Sequence, residues 1–184
     1  MAFNINTFRN NVIGLARGTL FEVVIANMPQ VDGTTTVSNQ FKFTCKAASL
    51  PASTIGVIDQ KYFGRSIYYA GDRSYDEWTT TIIGMNDWAL YTRLLKWHEA
   101  INHPEKNIAT SANMLTYKVD ADVKVYDQTD GTPHLKLKLI GLWPTKIGEV
   151  ALSWEDVDKG VDISTSWRFD YVKPLDTTTS YIVN

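Results

Sequence analysis

The segment Lys118-Val-Asp-Ala-Asp-Val-Lys-Val125 decides the fold, because polar and apolar residues alternate strictly along it. A period of two is typical of a β-strand that buries one face. Leu135-Lys-Leu-Lys-Leu139 repeats the pattern, and Asp130-Gly131 lies between the two segments. The pair therefore predicts an antiparallel hairpin with a long loop. Trp143-Pro144 is expected to end its second arm, because proline cannot donate to a strand ladder.

Other segments rich in β-branched and aromatic residues extend the β prediction along the chain. Gly71-Asp72 is interpreted as a turn between two of them, and a lone cysteine, Cys45, falls within another. The expected strands cover residues 17–26, 40–47, 55–62, 65–69, 78–83, 149–154 and 162–173.

One segment follows a helical period instead. From Trp88 to Ile101 apolar residues recur at spacings of three and four, which predicts one substantial helix around residues 87-102. Asn86-Asp87 offers an N-cap, and Pro104 ends the pattern. The fold class is therefore mainly β, a mostly antiparallel β-sandwich or open barrel with one flanking α-helix. Sheet edges in such a fold must be blunted or paired, and pairing into a closed ring is permitted.

Length and composition indicate one packed domain over residues 1-184, with an N-terminal arm at 1-16 and a C-terminal tail at 174-184. The chain has 184 residues, 44% hydrophobic content and 12% aromatics, which favours large contact surfaces. No apolar run reaches 18 residues, and the opening lacks the basic start of a signal peptide. We therefore expect no membrane insertion.

The charge balance argues against tight nucleic-acid binding. Eighteen basic and twenty acidic residues give a net charge of −2, and no long Lys/Arg run occurs. Tight DNA binding needs a concentrated cationic face, whereas DNA that passes without sticking is compatible with this composition. The single cysteine excludes an internal disulfide, fits a reducing cytoplasm, and is expected to be an inert small hydrophobe.

Motifs of enzyme chemistry are missing from the sequence. There is no Gly-x-Ser-x-Gly elbow, phosphate-binding loop or dinucleotide fingerprint. His98 and His103 are five residues apart, which does not suit a metal pair on one helix face, and carboxylates such as Asp72 and Asp76 are typical of a solvated surface. We predict no catalytic residue, no cofactor and no metal. Six tryptophans leave a carbohydrate-binding β-sandwich as a less favoured alternative.

Four spaced motifs occur in order between about Leu20 and Tyr171: Phe41-Lys-Phe-Thr-Cys-Lys-Ala47 with Leu50-Pro51, Tyr69-Ala-Gly-Asp-Arg-Ser-Tyr-Asp-Glu-Trp78, Gly141-Leu-Trp-Pro-Thr145, and Gly148-Glu149 with Trp154. Together they resemble the tail tube proteins of T4-like, contractile-tailed bacteriophages. The loop from Asn27 to Gln40 and the tail after Tyr171 look longer than is usual in that family.

The resemblance implies a β-sandwich whose hexameric rings join their sheets into one inner barrel and stack into a tube. Implied partners are further copies of the chain, the tail sheath protein, the baseplate, tape-measure and tail terminator proteins, and viral DNA that passes without sequence-specific binding. The implied location is the virion tail, with assembly in the host bacterial cytoplasm. A tube initiator, or a tube subunit of a bacteriocin or type VI-like injection system, shares these features and stays an alternative.

The resembling motifs supply the candidate inter-subunit contacts: Gly71, Asp72, Arg73, Asp76, Trp78, Trp143 and Pro144. We expect Arg73 to pair with a carboxylate on the adjacent ring. The alternative is a solvated turn with an internal ion pair. Two polar strand faces, one with Lys118, Asp120, Asp122 and Lys124 and the other with Lys136 and Lys138, could line the lumen or meet the sheath.

Overall fold

The computed structural model describes Ile5 and residues 16–25, 28, 36–109, 113–127, 131–155 and 160–175, with backbone only for 36–39. The predicted arm and tail lie almost wholly outside these ranges, as does most of the loop from 27 to 40. The elements are, in order, β1 Phe21–Ile25, α1 Thr36–Thr44, β2 Cys45–Ala48, β3 Ser53–Tyr62, β4 Arg65–Tyr75, β5 Trp78–Ile83, α2 Ala89–Ile101, a 3-10 turn Met114–Thr116, β6 Val119–Tyr126, β7 Pro133–Ile147, β8 Asp162–Arg168 and β9 Tyr171–Pro174.

The strands form two sheets that share β7, and every pairing among them is antiparallel. Sheet 1 has the order β1-β6-β7-β9, and sheet 2 has the order β7-β8-β5-β2. Within the described ranges, the strands β3 and β4 pair only with each other and form a separate, long hairpin. The prediction of a mainly β, mostly antiparallel fold with one main flanking helix is confirmed.

Strand β7 passes from one sheet to the other at Gly141. Its residues up to Leu142 pair with β6, and those from Trp143 onward pair with β8. Gly141 has φ +71, and a Cβ there would lie 2.2 Å from Oδ2 of Asp170. Only glycine fits this bend without strain. The expectation that Trp143-Pro144 ends the strand is wrong, because the pairing register shifts just after Pro144 and a bulge tolerates proline.

The core is built around three tryptophans. The Trp167 ring lies 5.7 Å from that of Trp97, 6.4 Å from that of Trp78 and 6.1 Å from that of Phe41. All four side chains are at most 1% exposed. A buried indole N–H needs an acceptor, and each has one: Trp78 donates to the Ser49 carbonyl (2.6 Å), Trp97 to the Tyr117 carbonyl (2.9 Å) and Trp167 to Thr80 Oγ1 (2.9 Å).

Helix α2 has the predicted position and a different start. The spacing of Trp88, Tyr91, Leu94, Leu95 and Ile101 predicted a helix here, but of these five only Leu94 is in the buried stripe. That stripe also contains Leu90 and Trp97, whereas Leu95 is 46% exposed. The N-cap is Trp88, in the left-handed region at φ 49, without a side-chain cap. Asp87 still satisfies one free backbone donor, because its Oδ1 accepts from the Ala89 N–H at 3.2 Å.

Three expected strands differ from the observed elements. Residues 40–44 end helix α1, since Phe41 and Thr44 are buried while the two residues between them are exposed, which is a helical period. Residues 149–154 contain no strand, and Trp154 there is fully exposed. The expected strand at 162–173 is divided into β8 and β9 at the point where Asp170 meets Gly141.

Candidate assembly surfaces

The long hairpin carries the Gly71-Asp72 motif inside β4, so the predicted turn is wrong. Its register shifts between Ile55 and Val57 and places Gly56 opposite Gly71-Asp72. This is a β-bulge of two residues against one. A Cβ on Gly71 would lie 3.1 Å from the carbonyl oxygen of Gly56, so the close approach of the two backbones favours glycine at this position. The motif therefore bends strand β4 within the hairpin rather than reversing the direction of the chain.

One exposed face of the hairpin beyond the bulge carries four apolar side chains beside Gln60 and Arg65. Ile58 pairs with Tyr69, and alternation puts Ile67 and Tyr62 on the same face. All four side chains are between 46% and 64% exposed. An isolated two-stranded hairpin is marginally stable in water. This arm therefore presents a surface that a neighbouring molecule can cover.

The tip of the hairpin is a two-residue turn at Phe63 and Gly64. Both residues have positive φ, 44 and 77, which is the combination that a tight hairpin requires. Phe63 is 89% exposed and packs edge-to-face on Tyr62 with ring centroids 4.6 Å apart. A bulky residue in the left-handed region at a solvent-exposed tip costs stability. An exposed aromatic held this way is suited to contact with another surface.

The remaining residues of this motif are divided between surface and core. Asp72, Arg73 and Asp76 are exposed, and within the described ranges Arg73 has no ion-pair partner. The Asp76 N–H donates to the Ala52 carbonyl at 3.4 Å at the base of the hairpin. Trp78 is 1% exposed and belongs to the core of its own chain.

Trp143 and Pro144 lie beside helix α2. Pro144 is buried, and its carbonyl accepts a hydrogen bond from His98. Burial lowers the pKa of His98 despite that hydrogen bond, and its Nε2 is enclosed without a partner. Trp143 is half-buried, edge-to-face on Tyr117 at 6.3 Å. An open groove between α2 and β7 is lined by Leu95 and His98 on the helix and by Trp143 and Pro144 on the strand.

The two predicted polar faces are one face in the structure. Pairing of β6 with β7 sets Asp122 opposite Lys138 and Lys124 opposite Lys136, all on the side of sheet 1 away from the core. The Lys138 ammonium bonds Asp120 at 3.0 Å, which raises the pKa of that lysine. We call this surface the lysine face.

Glu22 of β1 completes the lysine face. Its carboxylate is 2.9 Å from Lys42 and 4.0 Å from Lys124, and it accepts a hydrogen bond from Tyr126. Burial alone would raise the pKa of Glu22, but the hydrogen bonds from Tyr126 and Lys42 and the charge of Lys124 hold it below its ordinary value. At the bend in β7, Lys118 binds both oxygens of Asp170 at 2.7 and 2.9 Å.

The two remaining histidines and the cysteine have surroundings that fit structural roles. His103 accepts from the backbone N–H groups of Glu105 and Lys106, and His134 lies 3.6 Å from Asp127. Burial raises the pKa of Cys45 to about 11, which leaves a thiol of low reactivity. In the described ranges, no three or more His, Cys, Asp or Glu side chains are grouped so that they could hold a metal ion. No helix in those ranges has the length and apolarity needed to cross a membrane.

Comparison with known proteins connects this architecture to one family. The family described as phage tail tube protein matches residues 16–173. The tail tube protein gp19 of Enterobacteria phage T4 is 33% identical over 158 residues, which is 85% of this chain and 90% of that protein. The corresponding protein of Enterobacteria phage T6 has the same identity and coverage.

Solved structures extend the likeness of fold. A chain in the sheath/tube terminator of the PVC extracellular contractile injection system aligns with a TM-score of 0.65 over 90% of this chain and 99% of that one. A chain in the six-fold symmetrised baseplate of the anti-feeding prophage gives a TM-score of 0.60 over 90% and 99%. Both share 12% sequence identity with this chain, so these two likenesses concern the fold alone.

Proposed function

The chain belongs to the phage tail tube protein family, as a subunit of a contractile tail tube, and from this we propose how copies of it join. Copies close into a hexameric ring by pairing β9 of one copy with β1 of the next. Such rings stack into the inner tube that conducts the genome inside a contractile sheath. Among the described residues β1 and β9 each pair with one strand only, and these two open edges of sheet 1 are the observation that carries this proposal.

The hydrogen-bonding groups at the two edges are complementary. The Leu175 N–H bonds the Lys136 carbonyl, so by alternation the N–H and C=O of Val172 point away from β7 toward the open edge. The Tyr126 N–H bonds the Leu20 carbonyl. By the same alternation, the N–H and C=O of Val23 point away from β6, toward the open edge of β1. The β9 edge therefore offers the N–H and C=O of Val172, whereas Pro174, which alternation also turns outward, can only accept through its C=O.

Strand direction and side-chain direction also agree with this junction. Neighbouring strands alternate in direction across the four strands of sheet 1, so β9 meets the β1 of the next copy antiparallel. Val172 and Val23 both point to the core side, which keeps the polar side continuous around the ring. Helix α1 lies against β1 and would border the junction. The lysine face would then line the lumen.

The long hairpin is proposed as the contact between rings. Its apolar face, with Ile58, Tyr62, Ile67 and Tyr69, and its exposed Phe63 need cover, and a subunit of an adjacent ring would supply it. The bulge at Gly71 and Asp72 would set the direction in which the hairpin projects. Arg73 and Asp76, nearer the base of the hairpin, are exposed.

The groove at Trp143 is proposed as a further contact surface, whereas the burial of Trp78 and Pro144 supports packing roles for them. The sheath, baseplate, tape-measure and terminator proteins are proposed as partners of the tube, consistent with the assemblies in which similar folds occur. Tail tube proteins are virion components, and we propose assembly in the host cytoplasm. The role is structural rather than enzymatic, and an initiator or injection-system tube subunit would use the same edges.

A proline at Val172 tests the ring junction. Because the Val172 N–H points to the open edge, Val172→Pro should leave the pairing of β9 with β7 intact while removing one inter-copy donor. Val172→Ala is the matched control, since it loses the same packing and keeps the N–H. Negative-stain electron microscopy and light scattering should show rings or tubes for the wild type and Val172→Ala, and unassembled, folded protein for Val172→Pro. Equal assembly of the two variants would refute the junction.

The stacking contact has its own variant. Arg73→Glu reverses an exposed charge that has no internal partner in the described ranges, so rings should form while tube growth stops. Lys106→Glu makes the same charge reversal away from the hairpin and should leave tubes unchanged. Normal tubes from Arg73→Glu would remove Arg73 from the inter-ring contact.

A further inference from the structure

The start of β1 and the end of β9 lie at the same end of sheet 1. Phe21, at the start of β1, pairs with Val125 near the end of β6. Pro174, at the end of β9, pairs with Leu137 near the start of β7. Because β6 and β7 pair antiparallel, the end of one lies beside the start of the other. The chain therefore enters β1 and leaves β9 at one end of each copy.

A groove of about 480 Å³ opens at this end, beside the start of β1. Leu20 is 37% exposed there, and Phe21 is only partly buried. Among the described residues the groove is open, and it is lined by Thr19, Leu20, Phe21, Tyr126, Asp127 and Gly131. It offers apolar surface next to the strand that the proposed ring pairs with β9 of another copy.

The proposed junction brings two exposed leucines together at the edge of this groove. The outward backbone groups of Val172 and Val23 can pair with each other across the junction. Three residues further along, antiparallel pairing then places Leu175 opposite Leu20, in a pair without mutual hydrogen bonds, where side chains approach closely. Leu175 is 42% exposed, and alternation puts both leucines on the same side of the sheet. The chain after Leu175 thus continues beside the groove of the next copy.

The sequence after β9 carries one apolar cluster. Residues 176–180 are Asp, three Thr and Ser, and Tyr181-Ile-Val183 follows them. Tyrosine and β-branched residues favour strands and gain from burial. The six residues from Leu175 to Tyr181 span at most about 20 Å, whereas neighbouring strands lie about 4.8 Å apart. The groove of the adjacent copy is one strand away from β9, while the groove of the same copy lies beyond β7 and β6.

We propose that Tyr181-Ile-Val183 of one copy docks in the groove beside β1 of the next copy and stabilises the ring junction. This docking rests on the proposed pairing of β9 with β1, which sets the cluster and the groove side by side. The residues matched by the family end at 173, so β1 and most of β9 lie inside that range and the cluster lies outside it. Loss of the cluster should therefore weaken the ring without abolishing it.

Serine substitutions test the contact in the full chain. The cluster variant and its matched control are Tyr181→Ser/Ile182→Ser/Val183→Ser and Thr177→Ser/Thr178→Ser/Thr179→Ser. Light scattering across a dilution series gives the concentration at which rings are half dissociated. That concentration should rise roughly tenfold or more for the cluster variant, the effect of exposing about one aliphatic side chain, and should stay at the wild-type value for the control.

A variant of the groove shows where the cluster binds. Leu20→Ser should also raise the half-dissociation concentration. In combination with the cluster variant the rise should be smaller than the product of the two single effects, because both changes remove one shared contact. Equal values for the cluster variant and its control, or a full product in the combination, would overturn the docking.

Thermal melting of dilute, unassembled protein identifies the copy that the cluster contacts. Docking on a neighbour leaves the melting temperature of the cluster variant equal to that of its control. A lower melting temperature would place the cluster on its own chain and contradict the inference. Val172→Pro examines the junction separately, so loss of rings in that variant with an unaffected cluster variant would leave the junction standing and remove only the docking.

Discussion

Replacing Gly141 with alanine tests whether the bend in β7 depends on the space that Asp170 occupies. The substitution places a Cβ at φ +71 and 2.2 Å from Asp170 Oδ2. A left-handed backbone costs an ordinary residue about 1–2 kcal/mol. The carboxylate must also move away, which breaks its contacts of 2.7 and 2.9 Å with Lys118, a half-exposed ion pair worth about 0–1 kcal/mol.

The expected loss of unfolding free energy is therefore about 1–3 kcal/mol, or roughly 2–12 °C in melting temperature for a chain of this size. Gly131→Ala is the matched control, because Gly131 has φ +66 with no atom within 4 Å of the added Cβ. It should cost only the backbone part, about 1–2 kcal/mol. Urea unfolding followed by far-UV circular dichroism measures both.

A double variant isolates the steric part. In an Asp170→Ala background the obstructing carboxylate is absent, so Gly141→Ala should cost no more than Gly131→Ala does. If the two glycine substitutions cost the same in the wild-type background, contact with Asp170 contributes nothing and the explanation of the bend is wrong.

Three further predictions concern side chains near the groove and the core. Because burial lowers the pKa of His98 below 6.5, the unfolded chain takes up its proton first, and stability should fall as pH drops below 6.5; His98→Gln should flatten this part of a stability–pH curve. Cys45, with a pKa of about 11, should react with iodoacetamide at pH 8 far more slowly in the native protein than in urea. Trp143→Ala should cost about 2 kcal/mol in chemical unfolding, below the 3–5 kcal/mol of a fully buried tryptophan, because Trp143 is half-buried.

Periodic segments could be predicted from sequence because burial acts on them directly. Val119–Tyr126 alternates and is a strand, and Ala89–Ile101 carries a stripe and is a helix. Phe41 and Phe43 alternate in sequence as a strand would. In the structure Phe43 is 79% exposed and Thr44 is buried instead, which sequence spacing alone does not distinguish.

The candidate site was harder to predict because glycine and proline have several uses. Gly71 suggested a turn. Its lack of a side chain instead lets the backbone of β4 approach that of Gly56 on the paired strand and form a bulge, a contact that local sequence does not show. Pro144 suggested a strand end, but a register shift accommodates it within β7. The lysine face depends on register across four strands, so Lys124, Lys136 and Lys173 meet only after folding.

The opposite directions of β1 and β9 at the two edges of sheet 1 bear on the width of the bore. In the proposed ring every junction would have the same hydrogen-bonding pattern however many copies are joined, because each copy contributes an even number of alternating strands to sheet 1. Backbone pairing alone would therefore not fix the number of copies. That number would follow from how far each sheet turns between its edges, to which strand twist and the bend at Gly141 contribute. The width of the proposed channel would then depend on curvature distributed along the strands rather than on any single contact.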